Sequence, residues 1–230
     1  MTLPWTTLAS VATADGQLDL LRRGEKDFLI TIDKRVLMTS AAHRSEVVLA
    51  ELACEGLRIA TKARVLVGGL GMGYTLRAAL DALASDALVT VCELNPVTVE
   101  WCNGPLAPLT ANAAADPRVT IEIVDVMAHI AAVGPTKYDA IVLDLYEGPQ
   151  TRVQDHHPLY GFHALQSIRA ALRPSGVLAV WGEARSAGFE QNLAAAGFSF
   201  TFHRPGRGGL RHAVYIARSA KGRGRGRPAR

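Results

Sequence analysis

Two hydrophobic rhythms divide the chain. Residues 17–38 alternate in the manner of short strands: Leu18 and Leu20, then Phe28-Leu29-Ile30-Thr31-Ile32, then Val36-Leu37-Met38. Gly24 and Asp33-Lys34 supply the turns between them. Residues 43–58 read as a helix, with Val47, Val48, Leu49, Leu52 and Ala53 on an apolar stripe. From Arg64 onward strands and helices alternate. Strands are expected at 64–68, 88–93, 119–124, 139–144, 176–181, 198–202 and 212–217. Helices are expected near 74–84, 96–103, 126–132, 160–172 and 186–196. Short apolar strands separated by helices imply a mainly parallel sheet covered on both faces. The pattern predicts an α/β fold: a doubly wound, seven-stranded, mainly parallel sheet over residues 43–218, preceded by a short N-terminal β-hairpin region over residues 1–42.

Open sheets of this kind bind ligands at the carboxyl ends of their strands, so the residues after each strand carry the argument. Gly68-Gly69-Leu70-Gly71-Met72-Gly73 follows the first core strand and opens a helix. Glycines there let backbone approach a ligand, and a helix N-terminus offers free N–H groups. The second strand ends in Glu93-Leu94, about twenty residues on, where a carboxylate suits the two hydroxyls of a ribose. The third ends at Asp125-Val126; Asp125 suits an adenine amino group or, equally, the cap of the next helix. The fourth ends in Leu143-Asp144-Leu145-Tyr146-Glu147-Gly148-Pro149. Burial at the strand mouth would raise the pKa of Asp144 and suit it to proton abstraction, with Tyr146 and Glu147 shaping an acceptor site. Together these features predict a Rossmann-like nucleoside site. Gly68, Gly69, Gly71, Met72, Gly73, Glu93, Leu94, Asp125, Val126 and Asp144 are expected to bind the cofactor, and Asp144, Tyr146 and Glu147 to serve the chemistry.

Composition adds little to this except at the end of the chain. With 230 residues, 49% hydrophobic and 20% charged, the balance is that of one well-buried globular domain. Apolar runs such as Ala140–Leu143 fall far short of a membrane span, and the start shows no basic region followed by an apolar one, so a cytoplasmic location is expected. Cys54, Cys92 and Cys102 share no CxxC spacing, which suggests reduced thiols rather than a metal site or a nucleophile. The net charge is +4, but Lys221–Arg230 holds five basic groups and no acid; without it the net charge is −1. Residues 219–230 are therefore expected to be a disordered glycine–arginine tail, able at most to hold RNA phosphates weakly.

From about residue 25 to 217 the chain resembles the spermidine synthase (polyamine aminopropyltransferase) family, a variant of the class I methyltransferase fold. Gly68–Gly73 matches the family's GGGDGG turn, and Glu93 its acidic strand end. Asp116-Pro117-Arg118-Val119 with Asp125 matches DPRV…GD, and Tyr138-Asp139 with Asp144–Glu147 matches YD…DSSDP. Leu159-Tyr160 with Phe162-His163 resembles LFS-x-x-FY, and Leu172-Arg173-Pro174-Ser175-Gly176 resembles LKPGG. Ser45–Leu52 fits DEFVYHEM. The resemblance implies S-adenosylmethionine or its decarboxylated form as cofactor, and a role in polyamine biosynthesis.

The departures lie on the acceptor side. Met72 stands where the family has the aspartate that holds the aminopropyl cation, and Leu49-Ala50 replace a Tyr-His pair, leaving Glu51. These changes shift the expectation slightly toward methyl transfer from S-adenosylmethionine, its carboxylate received by N–H groups around Gly71–Gly73, with a small amine as acceptor. The alternatives are a true aminopropyltransferase acting on putrescine, and a non-catalytic nucleoside- or RNA-binding protein. A dehydrogenase using NAD fits less well, for want of a Lys/Tyr or His arrangement. Partners beyond the small acceptor extend to a homodimer, not to a membrane, and to nucleic acid only through the tail. Trp101, Trp181 and Phe162 are expected in the core or the cofactor wall. His156-His157 fits a substrate lid or a plain exposed loop, and Arg211-His212 could face the cleft.

Overall fold

The computed structural model describes residues 3–135, 137–150, 156–206 and 212–219. Seven strands form the main sheet in the order β10-β11-β9-β8-β5-β6-β7. β5 (Arg64–Gly68), β6 (Leu88–Glu93), β7 (Val119–Ile123), β8 (Tyr138–Leu143) and β9 (Leu172–Gly182) are parallel; β10 (Phe198–His203) and β11 (Ala213–Ser219) close the far edge as an antiparallel hairpin. The mainly parallel sheet expected from the sequence is thus present.

Its central strands are continuously apolar because both faces are covered. Val65 and Val67 of β5 face one cluster, with Leu49 of α1 (Arg44–Cys54) and Leu76 and Leu80 of α2 (Tyr74–Ala82). Leu66 faces the other, with Leu165 and Ile168 of α5 (Phe162–Ala171) and Phe189 and Leu193 of α6 (Ala187–Ala195). Between β6 and β8 the chain runs through α3 (Pro96–Asn103) and, after β7, α4 (Val126–Val133).

The N-terminal region is more than a hairpin. Four antiparallel strands, β1 (Thr6–Thr13), β2 (Gly16–Arg23), β3 (Asp27–Ile32) and β4 (Arg35–Thr39), pair in chain order. β1 escaped the periodicity because it is an edge strand rich in Thr, Ser and Ala, with Leu8 and Val11 its two large apolar residues and no fully buried position. Leu18, Leu20, Phe28, Ile30 and Ile32 join the same core cluster as α1 and α2, so this sheet is packed onto the main one.

Element ends shifted locally. The helix expected over 43–58 stops at Cys54, and a 3-10 turn covers Glu55–Leu57. β9 starts early, and its register jumps: Tyr138 pairs with Leu172 but Ala140 with Val177, a bulge that absorbs Arg173-Pro174-Ser175-Gly176. Among the described residues no helix is long and apolar enough to cross a membrane. The tail beyond Ser219 lies outside the described residues.

Candidate functional site

The strand order reverses at β5, and the loops leaving β5, β6, β7 and β8 meet there. The glycine turn is held tightly. The Gly69 N–H donates to the Cys92 carbonyl at 2.9 Å, and the Asp144 N–H donates to the Gly68 carbonyl at 2.9 Å. Gly69 has φ +88°, and a β carbon on it would collide with the Asp144 carbonyl oxygen. No other residue fits that approach.

A cavity of about 330 Å³ opens beside this turn. Its floor carries Gly69, Gly71, Glu93, Leu94, Asp125, Val126 and Asp144, and Tyr146 and Glu147 stand at the side. Asp15, Leu18, Ile30, Leu37 and Met38 of the N-terminal sheet supply the opposite wall, and Leu159 and Trp181 complete it. Nine of the expected site residues therefore share one cavity. Gly68, Met72 and Gly73 do not line it. Gly68 ends β5, where a β carbon would press on Leu143 and Val126; the Met72 side chain is fully buried in the core; Gly73 caps α2 at φ +83°. A larger groove of about 510 Å³ between α1 and α2 holds Glu51, away from the strand ends.

The two carboxylates expected to meet a nucleoside are partly committed to backbone. Glu93 accepts the Leu70 N–H (2.9 Å) on one oxygen and the Asn95 N–H (2.8 Å) on the other. Each oxygen keeps a lone pair for a ligand hydroxyl. Asp125 caps α4, its Oδ1 accepting from Met127 and Ala128 N–H groups at 2.9 Å, while Oδ2 makes no hydrogen bond among the described residues. The N–H groups of the glycine turn are committed too. Leu70 donates to Glu93, Met72 to Met38 Sδ (3.2 Å) and Gly73 to the Leu70 carbonyl (2.8 Å). Of the residues 71–73 expected to receive a carboxylate, only Gly71 is left without such a bond among the described residues.

The centre of the cavity is a pair of acids from different elements. Asp144 is half-buried at the cavity, and its carboxyl is pushed up to about 7, first by burial and then by the charge of Glu46; a hydrogen bond from Thr75 Oγ1 acts the other way. Glu46 lies on the buried face of α1 with Ser45, Leu49, Ala50 and Ala53. The Ser45 hydroxyl donates to Glu46 Oε2 at 2.6 Å. Trp181 Nε1–H donates to Ser45 Oγ (3.3 Å), and His212 Nδ1 lies 3.0 Å from the same oxygen.

At the mouth, Glu147 faces Arg35 at 3.7 Å, and the Arg35 guanidinium lies 6.0 Å from the Tyr146 ring. The Tyr160 hydroxyl donates to the Glu147 carbonyl at 2.8 Å, and burial pushes that phenol's pKa up. A β carbon on Gly148 would strike the Gly182 Cα, so the turn expected there is pinned against the end of β9. In all, the cavity lining carries six carboxylates (Asp15, Glu46, Glu93, Asp125, Asp144, Glu147) and, among the described residues, no lysine, arginine or histidine.

Several motif residues turn out to serve the scaffold. Asp116 grips Arg118 with both oxygens (2.9 and 2.8 Å), and Arg118 donates on to the Leu80 carbonyl, tying β7 to α2; Arg118 holds the Asp116 carboxyl down at about 2. Asp139 accepts from the Arg64 N–H and from Arg173. His157 Nδ1 accepts the Leu159 and Tyr160 N–H groups and so braces the loop. Arg211 lies outside the described residues. All three cysteines are free and buried, and burial pushes each thiol up to about 12, which leaves no thiolate for chemistry.

The sequence reading passed over Glu46, Asp15, Met38 and Thr75. Glu46 could have been found. It occupies the helix positions i, i+3, i+4 and i+7 shared with Leu49, Ala50 and Ala53, and an acid on a buried stripe is a signal in itself.

No family model matches the chain. Over 122 residues, 52% of its length, it is 32% identical to the spermidine synthase of Coffea arabica and to spermidine synthase 1 of Pisum sativum. The matched stretch spans only about a third of those proteins, 36% and 34%. A crystal structure of a spermidine synthase with the transition-state analogue AdoDATO superposes with a TM-score of 0.72 at 16% identity, over 93% of this chain and 72% of the other. The spermidine synthase of Thermotoga maritima gives 0.68 at 17% identity, over 93% and 73%. The chain is thus similar to spermidine synthases in sequence over about half its length and in fold over nearly all of it.

Proposed function

We propose that this spermidine synthase-like chain is a transferase that moves the aminopropyl group of decarboxylated S-adenosylmethionine to a small amine. The observation that carries this reading is the sign of the cavity: six lining carboxylates and no cationic lining residue among those described. A ligand that is cationic along its length suits such a lining. S-adenosylmethionine would bring a carboxylate of its own, unpaired and taken out of water, at a cost of several kcal/mol.

The preference for methyl transfer drawn from the sequence is therefore reversed, for two physical reasons. Met72 does remove an acid from the glycine turn, but Glu46 supplies one from α1. The turn N–H groups assigned to a ligand carboxylate are mostly consumed within the protein. The relatives agree, since those named above are all spermidine synthases. The same acidity disfavours a phosphate-rich RNA ligand in the cavity.

In this reading Glu93 accepts the ribose hydroxyls and Asp125 Oδ2 the adenine amino group, between Leu94 and Val126. The pair Asp144 and Glu46 holds the acceptor's ammonium beside the sulfonium and removes its proton. The amine nitrogen then attacks the carbon next to S⁺, the C–S bond breaks, and the thioether leaves as a neutral nucleoside. What the protein supplies is positioning, exclusion of water and proton removal.

Side-by-side calorimetric titration tests the reading. Decarboxylated S-adenosylmethionine is expected to bind about 10–100-fold more tightly than S-adenosylmethionine, a difference of about 1.4–2.8 kcal/mol. Spermidine should form when putrescine is added. Equal or tighter binding of S-adenosylmethionine, or a methylated product, would overturn it. In the same titration Glu93→Ala should weaken either ligand by about 1–3 kcal/mol, because a charged acceptor is lost from the ribose. Unchanged affinity in a folded Glu93→Ala protein would remove Glu93 from that role.

A further inference from the structure

We propose that Glu46 receives the proton lost by the attacking amine, and that Ser45 and His212 carry that proton to the protein surface; this rests on the aminopropyl-transfer reading above. Deprotonating an ammonium in a closed, acid-lined cavity leaves a proton that must leave before the next turnover. The two acids of the reacting pair differ in their exits. Asp144 faces the cavity itself, and its donor, the buried Thr75 hydroxyl, has the Glu46 backbone carbonyl as its other neighbour, at 3.5 Å. That path ends in the protein.

Glu46 has an outlet. Its Oε2 lies 2.6 Å from Ser45 Oγ, which lies 3.0 Å from His212 Nδ1, and His212 is only half-buried immediately before β11. The hydroxyl carries one proton. When it is given to an ionised Glu46, His212 Nδ1 must be the donor to Ser45 Oγ, alongside the Trp181 indole N–H. When Glu46 takes up a proton, the arrangement reverses. His212 Nδ1 first gives up its own proton as the ring exchanges with water to the Nε2–H tautomer; Glu46 then donates to Ser45 Oγ while the Ser45 hydroxyl turns to Nδ1, and Nε2–H releases a proton to water, which restores the Nδ1–H ring. An O–H bond breaks and another forms between Glu46 and Ser45, an O–H breaks and an N–H forms between Ser45 and His212, and an N–H breaks and an O–H forms between the ring and water, with no other reactant needed.

The surrounding side chains hold this chain in place. α1 packs on α2, β8, β9 and β11, and the Trp181 ring meets His212 edge-on at 4.8 Å between centroids. The other titratable groups facing the pair are the phenols of Tyr74, whose pKa is raised by burial and then by Glu46, and Tyr160, raised by burial and then by Asp144. Both stay neutral and compete for no proton.

Two measurements test the relay. In steady-state kinetics with decarboxylated S-adenosylmethionine and putrescine, His212→Ala is expected to lose at least about tenfold in kcat, with both KM values within about twofold. Added imidazole should restore the rate, whereas pyrrole, equal in size but without basicity, should not; Ser45→Ala should lose as much and respond to neither. Wild-type kcat in both variants, or rescue by pyrrole as well, would overturn the proposal. The second measurement needs no turnover: nitrogen-15 spectra of the His212 ring in wild type, Glu46→Gln and Ser45→Ala. A protonated Nδ1 in wild type and a shifted ring titration in each variant are expected. Identical His212 titrations in all three overturn the relay even in an active enzyme. A wild type that turns over no sulfonium overturns the aminopropyl reading instead, and the spectra still decide the Glu46–His212 connection.

Discussion

Asp144→Asn lowers turnover by about 10²–10⁴-fold while the affinity for the adenosyl ligand stays within a few fold. Asparagine keeps the shape and can still accept from Thr75, but it removes half of the charge that, in the proposed reading, holds the acceptor's ammonium. It also removes a half-buried carboxyl with a pKa of about 7, and this gives the substitution a second, opposite effect on stability. The folded pKa lies above the unfolded value of about 3.9, so the folded protein binds more protons between those pH values. The contribution of Asp144 to stability is therefore complete below about pH 4 and is lost as pH rises through about 7. Wild type should lose stability over that window, and Asp144→Asn should show a flatter profile and melt higher at pH 8. Melting curves at pH 5 and pH 8, beside single-turnover kinetics, check both effects. Wild-type turnover in the variant would remove Asp144 from the reacting pair.

Gly69→Ala carries the largest expected cost in stability. The residue combines φ +88° with a close approach to the Asp144 carbonyl, and that carbonyl belongs to backbone that cannot rotate away. Left-handed backbone costs about 1–2 kcal/mol, and parting the ends of β5 and β8 adds to it. A total near 3 kcal/mol should lower the melting temperature by about 6–12 °C in a domain of this size. Ligand binding should fail as well, because Gly69 and Asp144 face the same cavity. Gly73→Ala separates the two causes. Gly73 has φ +83° and ψ +9°, and an added β carbon would meet only Thr110 at an ordinary 3.5 Å, so it should cost only about 1–2 kcal/mol. Equal losses at both positions would show that the close approach adds nothing.

The sheet, the glycine turn and the acids at three strand ends were legible because each depends on local order: an apolar strand, then a turn, then a helix. What the sequence concealed depends on partners distant in the chain. Glu46 shares a stripe with Leu49, Ala50 and Ala53, but Val47, Val48 and Leu52 mark a competing one, and only the packing of the helix on β8, β9 and β11 decides between them. Glu51, taken as the surviving acid, is rotated onto the exposed side. The free N–H groups of the turn were miscounted for the same reason: their acceptors, Met38 Sδ and Glu93, come from 34 and 23 residues away. Motif matching, for its part, does not separate chemistry from carpentry. Asp116-Pro117-Arg118 and Asp139 match as well as Asp144 does, yet they pin strands and helices together.

The N-terminal sheet forms one wall of the cavity and the main sheet the other, so the site exists only when chain segments more than a hundred residues apart have met. A partly folded chain holds either wall without the other and has no affinity to offer a ligand. Occupancy and foldedness are then one equilibrium: each tenfold excess of ligand over its dissociation constant adds about 1.4 kcal/mol to the native state. The supply of that ligand in its surroundings would thereby set how much of this protein survives unfolding and degradation, and a shortage would remove the protein along with its ligand.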